Sequence, residues 1–420
     1  MIYNNQKTKK KNEYKWTMIA FVLGVSVYIY SVSFDVIFTK IFGQNAFDTV
    51  ISYLILSFAI FKSMSSEQGL KNNNYITFSC LKYTAIFYVI YKFSNMVYTK
   101  QNYFYNLNTF DLYKNFVFAF ISAFIIDRED MLKKSMRYIA YIMYFSMVFI
   151  PYVEGSFISI VAENDSFSGY MLYGYRMLPG VIMMFYLYFR DKKPIDFLLA
   201  VFGLLELFIY ANRGAVVAVV IFIIIYQLIC VKSVKRLRNM FLLSLLAICI
   251  YFMIQPESLS LISDFLNSIG IKSRNITKLL DGSVSITGRE YIYEQVFAEL
   301  SKGNLTGLGL FGDRILLHGD YPHNFIYEIL LQFGWLLGSL ILAIFFYALG
   351  KILLSHKYES LRAESLVFTT TIMIKLFLSG SYLHEYSFFF LLAYMLNIKR
   401  LLVSDTMEKK NDKISDKINL

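Results

Sequence analysis

Along the chain, long apolar runs follow one another almost end to end, each bounded by a short cluster of charged or turn-forming residues. A helix needs about 20 apolar residues to cross a hydrocarbon core of about 30 Å, so runs of that size predict membrane-crossing helices. The pattern predicts about twelve crossings, over 16–38, 45–61, 75–93, 108–126, 136–153, 170–189, 195–212, 214–231, 239–255, 323–349, 365–383 and 384–398. The last two are divided only by a kink at 380–385, where a re-entrant pair would give the same pattern. Lys and Arg concentrate at 7–15, 128–137, 190–193, 232–238 and 399–417, whereas the short loops on the other side hold only Lys40, Lys92, Lys100, Lys114 and Arg213. Positive residues stay inside, which places both termini in the cytoplasm. The basic start could open a signal peptide, but no small-residue cleavage site follows, so the first run is expected to remain as a helix.

Composition sharpens this picture. Of 420 residues, 57% are hydrophobic and only 17% charged, too few polar positions to cover soluble domains. The 41 basic against 30 acidic residues leave a net charge of +11, which the inward loops absorb and which gives no sign of a nucleic-acid surface. Cys80, Cys230 and Cys249 all lie in apolar runs without paired spacing, which predicts neither disulfides nor zinc.

The domain plan is therefore a cytoplasmic start at 1–15, helices over 16–255, an outer loop at 256–322, helices over 323–398 and a cytoplasmic tail at 399–420. The outer loop is where chemistry is expected. Pro256 opens an amphipathic stretch, and Thr287 and Glu290 stand at capping-box spacing before a periodic run closed by Gly303. No HExxH, DxD or clustered carboxylates suggest a metal, and no GxSxG suggests a serine hydrolase.

Charges inside the apolar runs must be paired, near an interface or lining a cavity. Lys82 is close enough to a helix end to snorkel. Arg176 stands beside Pro179 and Gly180, a pair that can break its helix and free backbone groups for a site. Glu206 lies one heptad before Arg213, and Lys375 is its expected partner. Among the histidines, His356 is expected in a cytoplasmic loop, and His318 and His384 near the outer face. His323 stands apart because Tyr321, Pro322 and Asn324 surround it where the outer loop re-enters the membrane, and an imidazole there can take a proton from an alcohol. The outer half thus offers Arg176, Arg213, Arg289 and Arg314 beside one base. Guanidinium forks suit a diphosphate and the charge that it gains on departure.

The order of these features resembles the bacterial O-antigen ligase and polymerase superfamily. The elements that carry it are Arg176 with Gly180, Arg213 with Gly214, Thr287-Gly288-Arg289 early in the loop, Gly307 and Gly309 later in it, and His323-Asn324 followed by Gly334 and Gly338. They cover about 170–340; family members often have Ser where this chain has Asn212, and the stretch before Arg176 is rich in Tyr.

The resemblance implies an all-α polytopic glycosyltransferase of the GT-C type in the cytoplasmic membrane, working without metal or cofactor. It implies a glycan donor carried on undecaprenyl diphosphate at the outer face. Arg176, Arg213 and Arg289 would bind the diphosphate, His323 and Arg289 would serve catalysis, and Asn324, Arg314 and Tyr321 would be accessory. Gly307 and Gly309 would shape the loop over the site. A chain-length regulator and a flippase are the implied partners. The loop and the aromatic-rich helices resemble those of the polymerases, which implies a polymerase of O-antigen or capsule. A ligase of the same superfamily, a flippase for the same lipid-linked glycan and a non-catalytic scaffold remain the alternatives.

Overall fold

The computed structural model of the chain describes residues 15–31, 33, 48–65, 67–97, 102–150, 168–210, 213–231, 255–268, 274–280 and 289–418. Within them every regular element is helical. The first eight are α1 (Lys15–Ser31), α2 (Asp48–Met64), α3 (Glu67–Val97), α4 (Asn102–Ile125), α5 (Glu129–Val148), α6 (Ser168–Asp191), α7 (Pro194–Tyr210) and α8 (Arg213–Cys230). The predicted outer loop follows with α9 (Pro256–Ser268), α10 (Arg274–Leu280), α11 (Glu290–Ser301) and the short α12 (Gly312–Leu316). Helices α13 (Phe325–Leu354), α14 (Arg362–Leu378) and α15 (Tyr386–Ile418) complete the chain.

Each predicted apolar run meets a helix except 239–255, of which 239–254, with Cys249, lie outside the described residues. Among the described residues, α13 alone is both long and apolar enough to cross a membrane; α1, α8 and the stretch Val50–Met64 are apolar but shorter.

Helix α6 is the hub, packing against α5, α7, α8 and α14. The break that Pro179 and Gly180 allow does not occur: α6 runs through Pro179. Gly180 serves contact instead: a Cβ there would lie 2.8 Å from the Tyr144 Cα, so only glycine lets α5 approach this closely. On the other flank α4 packs against α15. Asn397 donates to the carbonyls of Ala123 (2.9 Å) and Ile126 (2.8 Å), which satisfies the open end of α4. Tyr386 donates to the Gly24 carbonyl at 2.8 Å and so ties α15 to α1.

One end of the α5–α7 group collects charge. Arg137 lies 3.4 Å from Asp196, Arg190 pairs with Asp191 at 2.7 Å, and Tyr186 donates to Glu364 at 2.6 Å. This is the end predicted to face the cytoplasm. Arg176 lies fourteen residues back along α6, about 21 Å away at 1.5 Å per residue.

The expected pairing of Glu206 with Lys375 is not formed. Lys375 pairs with Glu385 at 2.6 Å, while Glu206, only 2% exposed, accepts from the Tyr173 hydroxyl at 3.1 Å. Both acidic partners were available to Lys375 by type, but Glu385 lies in the turn that ends its own helix and needs no second helix to reach it.

Candidate functional site

The loop around 304–309 folds onto a break in α13. At Gly334 the backbone takes φ 73° and ψ 177°, so the helix divides into Phe325–Phe333 and a second piece from Trp335 onward. The second piece is about 20 residues, or about 30 Å, long. Breaking a helix frees backbone groups that must be paired elsewhere. Here the loop supplies the partners. Leu308 N–H donates to the Leu331 carbonyl and Gly309 N–H to that of Gln332, both at 2.8 Å, while Trp335 N–H donates to the Asn304 carbonyl at 3.1 Å. Asn304 closes its own turn by accepting from the Thr306 and Gly307 amides. Gly307 and Gly334 touch backbone to backbone, and a Cβ on Gly334 would lie 2.3 Å from the Leu305 carbonyl oxygen.

This docking sets the entry to α13. His323 adopts φ 53°, in the left-handed region that non-glycine residues enter at a cost and that is frequent at functional sites. Asn324 then caps the helix, its side-chain oxygen accepting from the amides of Ile326 (3.0 Å) and Tyr327 (3.3 Å).

Both expected catalytic residues meet the end of α14. His323 Nδ1 lies 3.1 Å from the Ser379 carbonyl oxygen, and Arg289 donates to the Leu378 carbonyl. Tyr321 donates to the same Ser379 oxygen at 3.2 Å, and Asn324 donates to the Phe377 carbonyl at 3.4 Å. A carbonyl oxygen only accepts, so the His323 proton sits on Nδ1 and the Nε2 lone pair is left for chemistry. Burial pushes the imidazole below its usual range; the bond to Ser379 opposes this, and Arg289 and Arg314 add to it. Burial pushes the Tyr321 phenol up to about 12, with Glu385 and Glu328 adding to it, so it remains a donor at neutral pH.

The residues next to the other two expected diphosphate ligands, Gly214 and Tyr175, are in contact. A Cβ on Gly214 would lie 2.8 Å from the Tyr175 hydroxyl and 3.0 Å from Leu378 Cδ1. Thus the chain positions next to Arg213 and Arg176 face each other beside the residue whose carbonyl holds Arg289. Arg176 is half-buried; the side chain of Arg213 lies outside the described residues, as does Thr287 of the expected capping box. Helix α11 begins at Glu290 with Arg289 before it and no side-chain cap.

Arg314 is placed differently. Its guanidinium is 2% exposed and donates to Asp313, to Glu328 Oε1 (2.7 Å) and to Ser381. Ser381 and the Tyr382 amide also donate to Glu328, at 2.5 and 3.2 Å. Gln332 donates to Asp313 at 2.7 Å and accepts from Tyr382 at 2.5 Å. Burial opposes the charge on Arg314, but Asp313 and Glu328 outweigh it and push its pKa up. Sequence reasoning grouped Arg314 with the expected diphosphate-binding arginines because its type and predicted side of the membrane matched. It missed Glu328 and Ser381, which a buried carboxylate one turn into a predicted crossing could have flagged. No protein-family model, curated protein or solved structure matches the chain.

Proposed function

We propose that the chain is an integral membrane glycosyltransferase, a polymerase of O-antigen or capsular repeat units carried on undecaprenyl diphosphate. The observation that carries this reading is the meeting of His323, Arg289 and the neighbours of Arg176 and Arg213 at the end of α14, residues 377–379. Apolar side chains left exposed along α3 and α13, Phe78, Phe93, Leu336 and Ile344 among them, support a lipid surround.

In the proposed reaction His323 Nε2 takes the proton of an acceptor sugar hydroxyl. Its oxygen forms a bond to the donor anomeric carbon as the carbon–oxygen bond to the diphosphate breaks, with inversion. The electron pair leaves on undecaprenyl diphosphate, whose growing charge Arg176, Arg213 and Arg289 stabilise. The half-helix Phe325–Phe333 turns its positive end toward the same place.

The test is purified protein in liposomes with an undecaprenyl-linked repeat. A ladder of products that survives EDTA is expected. Transfer confined to lipid A core would make the chain a ligase, and translocation without bond formation would make it a flippase.

A further inference from the structure

The ion cluster beneath the site joins the elements on either side of His323 to the turn whose carbonyl meets its ring. Asp313 and Arg314 come from α12, Glu328 and Gln332 from the first half of α13, and Ser381 and Tyr382 from the turn after α14. All six are buried, and the contacts described above link them to one another. One guanidinium faces two carboxyl groups in a dry setting, where satisfied networks are rigid and half-satisfied ones are costly.

Two routes lead from this cluster to His323. The first is backbone. Glu328 accepts from Ser381 and from the Tyr382 amide, and Ser379, two residues before Ser381, offers the carbonyl that His323 and Tyr321 share. The second is a stack of rings. The Arg314 guanidinium lies 5.3 Å from the centre of the Tyr321 ring, and that ring lies 4.2 Å from the imidazole of His323. Tyr321 is therefore held between the cluster and the candidate base.

We infer that Glu328, with Arg314 and Ser381, is a positioning residue: it fixes the Ser379 carbonyl and the Tyr321 ring so that His323 keeps its proton on Nδ1 and its lone pair on Nε2. Glu328 is buried behind the site and does not itself touch the reacting atoms. The inference rests on the catalytic reading of His323 for its meaning, but its test reads the imidazole directly.

The chain has only 4 histidines, so 15N-histidine labelling of the full protein gives a resolvable set, with His323→Gln assigning the resonance of interest. The wild type should show His323 as a single neutral Nδ1–H tautomer. In Glu328→Gln the same resonance should move to a mixture of tautomers while His356, 97% exposed in its side chain, stays in place. Turnover should fall about tenfold to a hundredfold with KM within about twofold, because an orienting group rather than a binding group has been lost. Ser381→Ala, a milder change in the same chain of contacts, should move the His323 resonance in the same direction. An unmoved His323 tautomer in both variants, with turnover reduced or not, overturns the inference and leaves the cluster purely structural. A wild-type protein that makes no polymer, with the tautomer shift still seen in Glu328→Gln, would sink the polymerase reading alone.

Discussion

His323 and Arg289 are tethered to consecutive carbonyls of one helix end, the imidazole to Ser379 and the guanidinium to Leu378. Neighbouring anchors fix the spacing between a neutral base and a fixed positive charge. That spacing has an electrostatic consequence, since a nearby cation disfavours a second positive charge and holds the imidazole in its neutral form.

The pH dependence follows with a definite sign. Below its pKa the imidazole is protonated and Nε2 has no lone pair to offer. Burial first, and then Arg289 and Arg314, hold that pKa below the usual imidazole range, so the acid limb of the rate profile should lie on the acid side of an ordinary histidine. Removing the neighbouring charge with Arg289→Gln should move the His323 titration midpoint to higher pH, read by histidine NMR in the intact protein. A midpoint that falls, or stays, would contradict the electrostatic account.

The close backbone contact at the broken helix gives a prediction with its own control. Gly303 and Gly334 both have positive φ, 68° and 73°, but a Cβ on Gly303 meets nothing within 4 Å whereas one on Gly334 meets the Leu305 carbonyl. Gly303→Ala should cost about 1 kcal/mol, the left-handed backbone alone. Gly334→Ala should cost about 2–6 kcal/mol, because its φ 73° and ψ 177° lie in a region essentially closed to residues with a Cβ and overpacking of the loop on α13 adds to that backbone cost. Thermal unfolding of the purified protein in detergent measures both, and equal losses would show that the loop docking contributes nothing.

Much of the helical plan was legible in the sequence because long apolar runs and the charges between them carry it directly. Pro256 and Gly303 marked a helix start and a helix end at their observed places. The break in α13 was not legible, since Gly334 in an apolar run reads the same whether it kinks a helix or packs one, and only the Asn304–Gly309 loop decides. Arg314 shows the same limit. Its type and predicted side of the membrane fitted an anion ligand, while its partners, Asp313 at the preceding position and Glu328 fourteen residues on, form a cluster only after the loop closes. His323 and Asn324 stood out in the sequence through the Pro322 that precedes them, but the carbonyls of Leu378 and Ser379 that anchor the candidate site are backbone atoms with no residue signature.

Asn324 joins a cap to a site residue, so its substitutions should separate the two roles. Asn324→Ala removes the acceptor for the Ile326 and Tyr327 amides and should lower stability by about 1 kcal/mol. Asn324→Asp keeps that acceptor and adds a favourable charge at a helix start, so stability should be retained. The aspartate, however, loses the donor to the Phe377 carbonyl. A stable protein with reduced turnover is expected for Asn324→Asp, measured by unfolding and by polymer length on the same preparation.

Arginine substitutions should divide cleanly by burial. Arg314 is enclosed by Asp313 and Glu328, and Arg314→Met would leave two buried carboxyl groups without their cation, a loss of about 3–5 kcal/mol. Arg289 is half-buried and held by a neutral carbonyl, so Arg289→Ala leaves no charge stranded and should change stability little. Its loss should fall instead on turnover, since a guanidinium that stabilises a departing diphosphate acts chiefly in the transition state. Abundance and unfolding of the two variants, set beside polymer synthesis by the same preparations, measure the difference. A destabilised Arg289→Ala together with a stable but inactive Arg314→Met would reverse the assignment, making Arg314 the ligand-facing group and Arg289 the structural one.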